Sequence, residues 1–238
     1  MNQLRCGRFL LSLDSPLVMG IVNVTPDSFS DGGSHDTTEA AVAHAQKLIA
    51  EGADILDIGG ESTRPGSVAV PVEEEIRRVV PVLRALHELK VPLSIDTFKT
   101  EVMRAALDAG VDLVNDIAAL ESEGALKLVA ASNAAVCLMH KQGNPQMMQQ
   151  APQYSDVVGE VADYLTKRCE LAIAAGIAPE RLLPDPGFGF GKTLEHNAAL
   201  FRALPAMRKT LGYPLLVGVS RKTMLGQITG RSVGERMA

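Results

Sequence analysis

Seven short, almost wholly apolar segments recur along the chain about every 20–45 residues, with amphipathic stretches between them. They are 18–24 (VMGIVNV), 55–60 (ILDIGG), 93–96 (LSID), 113–116 (LVND), 135–140 (AVCLMH), 182–185 (LLPD) and 215–220 (LLVGVS). Continuous rather than alternating hydrophobicity marks strands buried on both faces, which is the habit of a parallel sheet flanked by helices. The intervening stretches have helical period. Residues 38–51 place Ala41, Val42, Ala45, Leu48 and Ile49 on one face and stop at Gly52, a glycine terminator. Residues 73–88 repeat the pattern with Ile76, Val79, Val80 and Leu83, and Pro81 is expected to kink that helix. Strand–helix units in series predict right-handed crossovers.

The polar residues separate a closed barrel from an open doubly wound sheet. Nearly every strand ends in them: Asn23, Asp57 followed by Glu61, Asp96, Asn115 with Asp116, His140, Asp185, and Ser220 with Arg221 and Lys222. Polar groups at so many C-terminal strand ends converge on one pocket in a (β/α)8 barrel, whereas an open sheet strings them along an edge. The expected fold is therefore an α/β TIM barrel. Only seven strands are legible, and an eighth strand–helix unit needs about 30 more residues. The reading is one barrel domain over 1–238, truncated at its C-terminal end with the eighth unit absent.

Composition excludes several alternatives. Hydrophobic residues make up 46% of the 238, enough for a sizeable core, and no run approaches the ~20 apolar residues of a membrane span. The opening MNQLRCGRFLLSLDSP is too short in its apolar part and too polar after it for a secretory signal. Cys6, Cys137 and Cys169 are isolated and odd in number, which speaks for a reducing, cytoplasmic setting and against a zinc or disulfide framework. A net charge of −5 argues against nucleic acid or an anionic membrane as partner.

The segment Pro184–Thr193, PDPGFGFGKT, imitates a nucleotide loop and fails the spacing. A P-loop needs glycine where Pro186 stands, and proline has no N–H to offer a phosphate. A dinucleotide turn counted from Gly187 and Gly189 needs its third glycine at Lys192. Two other loops carry more chemistry. NVTPDSFSDGG at 23–33 is long for a βα connection and rich in hydroxyls, the profile of a mobile functional loop. GGESTRPG at 59–66 sets Arg64 on glycine-flanked backbone, where a guanidinium meets an anion beside close-approaching amides. Ser220, Arg221 and Lys222 follow a strand and are placed to open a helix.

Taken in order, GIVNVTPDSFSDGG, DIGGESTRPG, SIDT, NDI, LMH…GNP, DPGFGFGK and LLVGVSRK resemble the dihydropteroate synthase family from about Val18 onward. The resemblance implies a TIM barrel that condenses 6-hydroxymethyl-7,8-dihydropterin diphosphate with 4-aminobenzoate in folate biosynthesis. It implies Mg²⁺ as cofactor, a homodimer in the cytoplasm, and sensitivity of the family to sulfonamides. By matching positions, Asp185 takes the two parallel N–H donors of the pterin edge, with Asp96, Asn115, Met139 and Lys222 around the ring. Phe29, Thr63, Arg64, Pro65, Phe190 and Ser220 fall around the aminobenzoate, and Asn23 holds the metal. Lys222, Arg64 and Asp96 carry the catalytic roles. An Arg-x-His pair that the family places on its eighth strand has no counterpart to match. A pterin-binding barrel that transfers a methyl group to a corrinoid shares the Asp–Asn pocket but has no diphosphate to hold, so Arg64, Lys222 and the Asn23 loop argue against it. A non-catalytic pterin binder is the remaining alternative.

Overall fold

The computed structural model describes residues 2–25, 34–62, 69–143 and 152–235. Six parallel strands form its sheet: β3 (Met19–Asn23), β4 (Ile55–Gly59), β5 (Leu93–Asp96), β6 (Leu113–Asp116), β7 (Ala135–Met139) and β8 (Leu182–Asp185). They stand side by side in chain order, each hydrogen-bonded to the next. An unreversed order is the wall of a barrel, since a doubly wound sheet turns back at a switch point. Between the strands run α1 (Ser34–Ala50), α2 (Val72–Leu86), α3 (Thr100–Asp108), α4 (Ala125–Ala130) and α5 (Val157–Ala174), followed by α6 (Leu194–Leu211) and α7 (Thr223–Thr229). The apolar faces expected of the first two helices do enter the core, and α2 continues through Pro81.

Alternation along the strands sorts the interior into two faces. Leu56, Ile58, Leu93, Ile95, Val114, Val136, Leu138 and Leu182 pack outward under the helices. Leu113, Ala135, Cys137 and Leu183 point the other way and form a separate cluster with Leu4 and Cys6. Those last two come from an antiparallel hairpin, β1 (Gln3–Cys6) and β2 (Phe9–Ser12), that the strand–helix pattern did not announce. Its alternation is only four residues long on each arm, too brief a signal to separate from noise.

Arg8, in the hairpin turn, binds the buried Asp112 at the foot of β6. Its backbone N and Nε donate to Oδ1 at 3.0 Å and its Nη2 to Oδ2 at 2.9 Å, while Leu93 N donates to Oδ2 at 3.0 Å. Gly7 holds φ +55°, and a Cβ there would collide with Asp112, so the turn closes against the barrel only with glycine.

The expected strand at 215–220 departs from regular pairing. The segment lies beside β8 and makes one backbone hydrogen bond to it, Leu216 N to Pro184 O at 3.0 Å. Pro184 has no N–H to return, and Pro214 at the segment's start has none either, so the parallel ladder lacks the rungs it would need. Val217 is accordingly 40% exposed, as Ile21 is 48% exposed on β3 at the opposite margin of the sheet.

Candidate active site

Register brings the polar strand ends to one rim. Asn23 pairs with Gly59, Gly59 with Asp96, Asp96 with Asn115, and Met139 with Asp185. Within this rim Asn115 Nδ2 donates to Asp57 Oδ2 at 2.9 Å. Asp57 and Asp185 are buried, Asp96 and Asn115 half-buried. Asp57 Oδ1, Ser94 Oγ and Asp96 Oδ1 are fully sequestered on this face with no partner of good hydrogen-bond geometry among the described residues, the Ser94 hydroxyl lying near enough to Asp57 to oppose its rise in pKa. A buried acceptor left unpaired is costly, on the order of 1–3 kcal/mol. Concentrated on one wall, such atoms mark a surface built to receive donors.

The electrostatics follow from this crowding. Burial, and then the Asp57 carboxylate beside it, pushes the Asp96 carboxyl well above the ordinary carboxylate range. Asp57 is raised by burial, against the Ser94 hydroxyl and the Asn115 donor. Asp185 is also raised by burial, opposed by the Gly187 N–H and by Lys222 and Lys192. Lys222 is lowered by burial, with Asp185 pulling it back.

The turn after β8 is held from several sides. Asp185 Oδ1 accepts from Gly187 N at 2.7 Å, and Gly189 N donates to Asn197 Oδ1 at 2.8 Å. Lys222, which caps the start of α7, donates to the Phe188 carbonyl and sits 4.6 Å above the Phe190 ring. Gly187 and Gly191 have φ of +68° and +63°, and a Cβ on either would overlap the carbonyl oxygen of His140 or of Gln142. What presses on these glycines is the backbone after β7. Ser220 is exposed beside this turn, Met139 is buried at the end of β7, and Asn23 is exposed at the end of β3.

Phe29, Thr63, Arg64 and Pro65 lie outside the described residues. The ends of the second loop are visible nonetheless. Lys99 Nζ, beyond β5, donates to Glu61, to the Val70 carbonyl at 2.5 Å and to Glu75 on α2 at 2.6 Å, so one ammonium grips both flanks of 63–68. Asp57, Lys99 and Lys192 were not singled out for roles from sequence. A carboxylate inside an apolar run (Asp57) and a lysine that proves to be 3% exposed (Lys192) are the signals, and only the first is readable without a fold.

A barrel wall with sequestered polar atoms on its C-terminal rim is where barrel enzymes bind their substrates, and the family profile described as pterin binding enzyme matches residues 19–238. The dihydropteroate synthase of Neisseria meningitidis serogroup C is 55% identical over 231 residues, covering 96% of this chain and 82% of that protein. Among solved structures, Xanthomonas albilineans dihydropteroate synthase with 4-aminobenzoic acid superposes with TM-score 0.91 at 55% identity, covering 99% of this chain and 84% of that one. The Burkholderia cenocepacia dihydropteroate synthase complexed with 7,8-dihydropteroate gives TM-score 0.88 at 49% identity, with 98% and 82% covered. The chain belongs to the dihydropteroate synthases.

Proposed function

We propose that this chain condenses 6-hydroxymethyl-7,8-dihydropterin diphosphate with 4-aminobenzoate, giving 7,8-dihydropteroate and diphosphate. The observation that carries the reading is the set of unpaired acceptors on the rim, Asp57 Oδ1 and Asp96 Oδ1, with the Asp185 carboxylate on the same inward face. A pterin offers an amino-pyrimidinone edge of adjacent N–H donors, the complement of such a wall. Asp185 takes that edge, Asp96 and Asn115 border the ring and Met139 gives it an apolar floor. Lys222, over the Phe190 ring, serves the pterin, and Phe190 with Ser220 serves 4-aminobenzoate; Phe29, Thr63, Arg64 and Pro65 are assigned to the same substrate by the family resemblance alone.

The diphosphate leaves with the electron pair of its C–O bond, and the pterinylmethyl cation left behind is shared into the ring. The amine of 4-aminobenzoate forms the new C–N bond and then gives up a proton. The carboxyl oxygens of the buried aspartates around the ring face that cation as acceptors and dipoles, while Lys222 and Arg64 favour the departing anion. No protein nucleophile is required.

Among the described residues no three His, Cys, Asp or Glu side chains gather into a metal site, and Asn23 brings a single amide oxygen. This donor set suits Mg²⁺, which keeps several waters and takes further oxygens from substrate phosphates. Asn23 would hold the ion, which when bound would supply positive charge against the leaving diphosphate. The three cysteines are free and buried, which fits the cytoplasm. Phe201 on α6 and Ile228 on α7 are exposed apolar side chains, candidates for cover in a homodimer.

Calorimetric titration tests the assignment. The pterin diphosphate with Mg²⁺ should bind more tightly than the unphosphorylated pterin, and equal affinities would overturn the phosphate site. Asp185→Asn turns a donor toward a donor and should weaken pterin binding by about 2 kcal/mol.

A further inference from the structure

Lys192, the lysine of the false P-loop, is 3% exposed, and among the described residues no carboxylate bonds to it. Its Nζ instead lies at 2.9 Å from the Gly187 carbonyl, 3.0 Å from that of Phe190, 3.3 Å from that of His140 and 3.0 Å from His140 Nδ1. Four acceptors converge on this one nitrogen, whose pKa burial lowers to about 7 while Asp185 pulls it up, so at neutral pH it is an N–H donor that is charged in only part of the population. His140 is kept neutral here, its pKa held down to about 3 by burial and then by Lys192, so Nδ1 accepts and the ring proton sits on Nε2. Removing the nitrogen would leave three carbonyls facing one another across a dry space.

The cage joins two strand ends. Gly187 and Phe190 belong to the turn after β8, and His140 to the chain leaving β7. Between the two caged carbonyls of that turn lie the peptide units that touch the pocket. Gly187 N donates to Asp185 Oδ1, the Phe188 carbonyl receives Lys222, and the Phe190 ring lies beneath Lys222. Asn197 holds the same turn from α6 through Gly189 N.

We propose that Lys192 is a positioning residue of the reaction, its Nζ acting as an internal hydrogen-bond donor that fixes the turn 187–190 and through it the aim of Asp185 and Lys222. This rests on the pterin pocket assigned under Proposed function. This nitrogen touches neither substrate, so its effect is felt through the geometry of groups that do.

Lys192→Met keeps the length of the stem and removes the donor. The test measures its Kd for 6-hydroxymethylpterin by titration and its steady-state constants for both substrates, beside the wild type. The expected result is a rise of about ten- to a hundredfold in the pterin Kd and in the KM for the pterin diphosphate, the scale of a misplaced binding group. The KM for 4-aminobenzoate should rise as well, because the same turn carries Phe190 and receives Lys222. Lys192→Gln is measured beside it, and replaces it should Lys192→Met not fold, since the amide still donates to two of the carbonyls, and an intermediate defect is expected. A folded variant with wild-type pterin affinity, or a Lys192→Gln variant that recovers none of the loss seen in Lys192→Met, overturns the positioning role. If the wild type itself fails to bind the pterin, the pocket assignment falls instead, and the two failures are told apart in one experiment.

Discussion

Asp96 shows what the pocket costs the ligand-free protein. Its folded pKa lies well above the ordinary carboxyl range because burial and the neighbouring Asp57 oppose its charge. Between the unfolded and folded values the unfolded chain has lost the proton and the folded chain keeps it, so stability falls as pH rises through that interval and stays reduced above it. Asp96→Asn has no proton to lose. In the ligand-free protein it should raise Tm at about pH 8 by roughly 2–4 °C for each kcal/mol relieved, with the gain shrinking toward about pH 5. Scanning calorimetry at the two pH values measures this, and an equal shift at both would remove the electrostatic account. The same variant should lose pterin affinity.

At the scale of elements, the hairpin β1–β2 closes the barrel foot by a contact of long sequence separation. Asp112 has no solvent to fall back on when Arg8 is lost, but the guanidinium is itself 40% exposed, so the pair is worth less than a fully buried one. Arg8→Ala should cost about 2 kcal/mol in urea unfolding, with hydrogen exchange of the 3–12 amides rising ahead of the β5–β7 amides. Hairpin amides that stay as protected as the sheet would mean that Leu4 and Cys6, packed on Leu113 and Cys137, hold the plug without the ion pair.

For the whole molecule, the exposed Ile228 on α7 and Phe201 on α6 bear on association. Phe201 also touches Phe188 at 6.2 Å between ring centroids, so Ile228 is the cleaner probe. Under the proposed homodimer, Ile228→Lys should convert a species of twice the 25.3 kDa chain mass into the monomer. Stability should move by no more than about 0.5 kcal/mol, the usual range for a surface change. Light scattering after size exclusion measures the mass, and a persistent dimer would place the interface elsewhere.

Most of the sheet was legible because its strands are buried on both faces, and that demand writes itself into the sequence as unbroken apolar runs from Ile55 to Asp185. Polar residues interrupting those runs at their C-terminal ends located the rim for the same reason, since a carboxylate such as Asp96 has no place in an apolar strand without a use. The chain alone therefore determined the layer order, the barrel class and the family. The tertiary structure decided what depends on partners far apart in sequence: the hairpin answered by Asp112, the pairing of Asn115 with Asp57, the missing rungs at Pro184, and the Lys192 cage built from the ends of β7 and β8. A lysine reads as surface until the fold brings three carbonyls and an imidazole around it. Such contacts arise from register and closure, and no local pattern encodes them.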